Sequence, residues 1–136
     1  MISPESEERF EKGIRSFNQG DFFEAHEFWE TSWKAAEGTT RLFFQGIIQA
    51  AVALLHARRG NYAGATSVYL KSRQALTRIP AIWMGVDVEQ FRSDLARYFA
   101  PIHNLFDRQH KLYEPGSAQQ LADAQRPPPT LSRSRP

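Results

Sequence analysis

The sequence contains no cysteine, which excludes disulfides, thiolate catalysis, iron–sulfur clusters and cysteine zinc sites together; any metal site would have to use His and carboxylate. Histidine is itself scarce, with 4 in 136 residues. Neither sign of charge dominates: 17 Lys plus Arg stand against 15 Asp plus Glu, a formal net charge of +2. That balance is too even for a chain built throughout to hold nucleic acid or an anionic membrane. The longest mainly apolar stretch, residues 42–55, is interrupted by Gln45 and Gln49 and falls short of the roughly 20 residues that span a bilayer as a helix. It reads as a core helix. Walker, GxGxxG and GxSxG motifs are missing, and so is HExxH: His26-Glu27 is followed by Phe28, Trp29 and Glu30 where the second His would stand. The N-terminus is acidic and has no apolar segment, so it fits neither a secretory signal nor a basic transit peptide, and the expectation is a cytoplasmic protein.

What is present is helical periodicity. Ser3 before Pro4, followed by Glu5, Glu7 and Glu8, is a helix start, and Phe10, Ile14 and Phe17 recur at helical spacing up to a stop at Gly20. Asp21 is expected to cap a second helix running to about residue 38, Thr40 a third ending near Gly60, and Asn61 a fourth that Pro80 ends. Asp87 with Gln90 three residues later resembles a capping box for a fifth helix, broken by Pro101, and residues 103–113 are a candidate sixth. The run at 82–86 is the one ambiguous apolar segment. The expected class is all-α, a compact bundle of helical hairpins with five to six helices in one domain over 1–113. Residues 20–25 and 60–65 echo each other: Gly, a capping residue, an aromatic, then Ala. From 114 the composition turns to Pro, Gly, Gln, Ser and Arg, and a disordered tail is expected over 114–136.

The helix that begins at Phe22 holds the densest chemistry. At about 100° per residue, Phe22, Ala25, Trp29 and Trp33 share one face. His26 lies at its margin with Glu30 one turn on, while Glu27 points away. In the next helix Gln45, Gln49 and His56 fall within about 40° of one another, a polar seam on an otherwise apolar surface. Buried amides and imidazoles need partners, so His26, Glu30, Gln45, Gln49 and His56, with Glu27 beside them and Arg58 or Arg59 at the mouth, form a candidate polar pocket. Such a group either satisfies its own hydrogen bonds and fixes helix register, or it holds a divalent metal on His26, Glu30 and His56 or performs acid–base chemistry. His103 and His110 lie seven residues apart, two turns along one face of the candidate sixth helix, and read as surface or packing residues. No cofactor is expected.

Three segments together, residues 17–30 with their Glu24-Ala25-His26-Glu27-x-x-Glu30 core, residues 44–56 with Gln45-Gly46-x-x-Gln49 and His56, and residues 60–65 with Gly60-Asn61, resemble the family called domain of unknown function 309. The resemblance covers roughly residues 10–76. It implies a small all-helical protein and no assigned activity, and it marks Glu24, His26, Glu27, Glu30, Trp33, Gln49 and His56 as motif positions. Glu24 thereby joins the candidate pocket. Charge is segregated along the chain. Residues 1–37 carry 4 basic and 9 acidic groups, residues 38–113 carry 10 and 4, and residues 114–136 carry 3 and 2. That segregation favours complementary packing within one fold or between copies. A protein-interaction or self-associating module is the expected function, with a protein partner or a second copy in preference to nucleic acid or membrane. The alternative is a metal-binding protein or hydrolase-type enzyme.

Overall fold

The computed structural model describes residues 3–103 and 127–134. Among them the chain runs α1 (Pro4–Asn18), α2 (Phe22–Ala35), α3 (Gly38–Arg58), α4 (Tyr62–Thr77), β1 (Ile82–Trp83), β2 (Val86–Asp87) and α5 (Val88–His103). The all-helical class holds, with one small addition. The ambiguous run at 82–86 is a two-stranded antiparallel pair turned through Met84 and Gly85, both at positive φ (52° and 76°), the geometry that suits the twist of a two-residue turn.

Local signals explain most boundaries. The Ser3 side chain accepts from the Ser6 amide ahead of α1, Asn61 from the Gly64 amide ahead of α4, and Asp87 from the Gln90 amide ahead of α5. The α1–α2 and α3–α4 turns share one construction. Gly20 and Gly60 take φ of 86° and 79°; the Gly20 amide donates to Phe17 and that of Asp21 to Ser16, and Gly60 and Asn61 repeat the pattern onto Ala57 and His56. This is the Schellman arrangement, in which a left-handed Gly satisfies the last free carbonyls.

Four expected boundaries differ. Asp21 precedes α2 without making a side-chain cap, and α2 ends at Ala35 instead of near residue 38. α3 starts at Gly38, ahead of the expected Thr40 cap; Thr40 is already inside the helix, where its hydroxyl accepts from Trp83 Nε1 at 3.3 Å. Pro101 lies within α5, in its last turn, and the helix continues to His103. The candidate helix over 103–113, and His110 with it, lies outside the described residues apart from exposed His103.

The core is organised around α1. Phe10 meets Phe43 and Phe44 edge-on at 5.9 and 5.5 Å, while Phe17 meets Phe22, Trp29 and Phe91 at 5.3, 5.6 and 5.7 Å, so two residues of one helix bind α2, α3 and α5. Each such pair adds about 0.5–1.5 kcal/mol beyond its area burial. Tyr69 stacks on Phe99 at 4.5 Å and ties α4 to α5. The helix that contains the 42–55 run is longer than that run: α3 has 21 residues and is apolar and long enough to cross a membrane by those criteria alone. Burial of Phe43, Phe44, Ile47, Ala50 and Leu54 against the other helices accounts for that composition as core.

Residues 127–134 depart from the expected disordered tail. Leu131 is 2% exposed and belongs to the core cluster, and Arg133 forms an antiparallel bridge with Val86.

Candidate functional site

On α2, the i and i+4 spacing brings His26 Nε2 to 3.0 Å from Glu30 Oε2, with 26% and 46% of the two side chains exposed. Phe23 packs on the imidazole with ring centroids 5.6 Å apart, yet 54% of Phe23 remains in solvent. Glu24 and Glu27 are exposed on the same helix. The inner face is apolar: Phe22, Ala25 and Trp29 are buried, and Trp29 Nε1 donates to the Phe10 carbonyl at 3.4 Å.

The seam on α3 does not join this pair. Gln45 is exposed, lining a cleft of about 480 Å³ with Arg41 and Arg78. Gln49 is half-buried, and its Oε1 is fully covered with no partner among the described residues. His56 Nδ1 lies 3.2 Å from Asn61 Nδ2 at the start of the next helix. The predicted pocket is therefore divided: His26 and Glu30 satisfy each other along α2, and His56 finds a partner across the α3–α4 turn. Local spacing supplies both partners, which leaves no need for a contact across helices. Among the described residues no group of three His, Asp or Glu side chains gathers, so His26, Glu30 and His56 are not assembled as a ligand set. Arg58 is not at a pocket mouth. Its guanidinium donates to the Gly20 carbonyl and sits 4.9 Å from the Phe22 ring centroid, pinning the end of α3 to the α1–α2 turn.

Residues 10–68 match the family model described as a Domain of unknown function, DUF309. Over this segment the chain is similar to the DUF309 family. The segment takes in α1 from Phe10, all of α2 and α3 and the beginning of α4, and hence every candidate side chain named above. No curated protein is significantly similar to the chain.

Two features were not legible in the sequence. A cleft of about 550 Å³ opens between the starts of α1 and α3 and the end of α2, lined by Ser3, Ser6, Ser32, Glu37 and Met84 among others; the Ser32 hydroxyl there is buried without a partner among the described residues. The second feature lies beyond the DUF309 segment. Residues 127–134 cross α1 and the strand pair, where Asn18 accepts from the Leu131 amide at 2.8 Å and donates to its carbonyl at 2.9 Å. Arg133 donates from Nε to the Met84 carbonyl at 2.9 Å, pairs through Nη1 with Glu7 and Glu11, and stands 4.7 Å from the Phe10 ring centroid. Only 14% of its side chain is exposed. Burial works against its charge, but the hydrogen bonds and negative charges of Glu7 and Glu11 outweigh that and hold its pKa above the ordinary value. Leu131 and Arg133, one of three Arg in the Pro-rich stretch 126–136, are the signals for this docking, and only the acidic balance of residues 1–37 hints at where the Arg goes.

Proposed function

We propose that the protein is a protein-interaction module whose contact face is the outer side of α2. The observation that carries this reading is Phe23: an aromatic ring left more than half exposed, braced on one side by the imidazole of His26, which lies 3.0 Å from Glu30. Single exposed hydrophobics are common and mean little alone. Phe23 differs in being braced and in lying within the DUF309 segment, beside the motif positions Glu24, His26, Glu27 and Glu30. Covering the exposed part of a Phe that offers about 200 Å² would contribute about 2–3 kcal/mol. The surrounding carboxylates suit a basic surface, and residues 38–113 of a second copy, with 10 basic groups against 4 acidic, are one such surface.

Sedimentation of the purified protein across concentrations, together with crosslinking from position 23, tests this. A dimer that Phe23→Ala removes while the helical circular dichroism stays unchanged, together with a discrete adduct from the crosslinker at position 23, is the expected result. A clean monomer with no adduct from position 23 overturns it.

A further inference from the structure

The docked segment at 127–134 has the anatomy of a bound peptide. Its backbone extends the edge of the strand pair, through the Val86–Arg133 bridge and a bond from the Ser134 amide to the Gly85 carbonyl at 2.7 Å. Alternate side chains enter the body: Leu131 becomes core and Arg133 reaches two carboxylates of α1, while Ser132 between them is exposed. Main-chain bonds that give affinity and alternate side chains that give specificity are the signature of recognition by strand addition. The fit is close as well. A Cβ placed on Gly85 would meet the Ser134 carbonyl oxygen at 2.5 Å, so that glycine is what lets the segment lie down.

We propose that this groove, between α1 and the strand pair, is a binding site for an extended Leu-x-Arg peptide, and that its occupant in trans is the 127–134 segment of a second copy of this chain. The contacts are all non-covalent and would be the same in a second copy, so exchange forfeits none of them. Residues 104–126 tether the segment to the body, and tethering of this kind corresponds to an effective concentration on the order of 1 mM for the segment within its own chain. Docking in cis therefore dominates in dilute protein, and exchange grows as the protein concentration approaches that value. The groove is separate from the outer side of α2, so either assignment can fail alone.

Complementary variants test the exchange, each in the full chain and each carrying Phe23→Ala so that α2 contributes nothing. Arg133→Glu disables the segment and leaves the groove; Glu7→Lys/Glu11→Lys disables the groove and leaves the segment. Sedimentation velocity of each alone is expected to show monomers, and the mixture a species of doubled mass that is half-formed below about 1 mM. A mixture that remains monomeric up to that concentration, with both variants keeping the parent circular dichroism, overturns the proposal. Asn18→Ala, at an exposed helix end, replaces the double Lys variant should that one lose its fold, with the same two outcomes.

Discussion

Gly13 is where the packing of α1 on α2 is tightest, and replacing it with Ala gives a sharp prediction. A Cβ at that position would stand 2.1 Å from Trp29 Nε1 and 2.6 and 2.7 Å from two indole carbons. Ordinary contact begins near 3.5 Å, so the ring or the helix has to move by more than 1 Å. Trp29 is wholly buried and already touches Phe17, so the indole has no free direction. Overpacking of a closed core costs about 1–3 kcal/mol, and displacing the indole also strains its bond to the Phe10 carbonyl, a further loss of about 1 kcal/mol. Against this, Ala in place of Gly inside a helix stabilises by about 1 kcal/mol. The net expectation for Gly13→Ala is a destabilisation of about 2 kcal/mol, on the order of 8 °C in melting temperature for a domain of this size. Urea unfolding followed by circular dichroism, with tryptophan fluorescence as a second probe, measures it. A Gly13→Ala protein as stable as the parent would refute the close crossing of α1 and α2.

Other substitutions separate structural from peripheral roles. Asn61→Ala removes the α4 cap and should cost about 1 kcal/mol by the same unfolding assay. Ser72→Ala removes a buried 2.7 Å hydrogen bond to the Gly46 carbonyl that joins α4 to α3; a loss of about 1 kcal/mol is expected, and no loss would show that the bond contributes nothing net. His26→Ala breaks a half-buried contact with Glu30 on one helix and should change stability by less than about 1 kcal/mol; a loss several times larger would make this pair a structural element instead of part of a contact face. Leu131→Ala withdraws a buried side chain from the docked segment and should speed tryptic cleavage after Arg133 by about tenfold or more, through easier local opening, while the helices melt within a few degrees of the parent. Cleavage at an unchanged rate would contradict the docking.

Much of the helical framework was legible because its signals are local. Ser3, Asn61 and Asp87 cap the helices that follow them, and Gly20 and Gly60 end the helices before them, each through bonds within five residues. The apolar rows that include Phe10, Phe17, Phe22 and Trp29 became core as their spacing required. Apart from the local boundaries at Asp21, Thr40 and Pro101, most of what failed depended on distance. The wheel placed Gln45, Gln49 and His56 on one seam but could not say which neighbour that seam faces, and the His26–Glu30 and His56–Asn61 pairs were completed locally. The docking of Leu131 and Arg133 onto residues more than 100 positions earlier leaves no periodic trace, since two anchors in a Pro-rich stretch have the composition of a free tail. At 82–86, a strand pair this short lacks the alternation that marks longer strands.

Photo-crosslinking from a benzophenone side chain at position 23, with the same group at exposed Ala96 of α5 as the control, tests the interaction face most directly. The expected result is a discrete adduct from position 23 that is lost when Glu27 and Glu30 are changed to Lys in a protein that keeps its fold. Crosslinking from position 23 no greater than from position 96 would contradict the assignment of the outer side of α2 as the contact face.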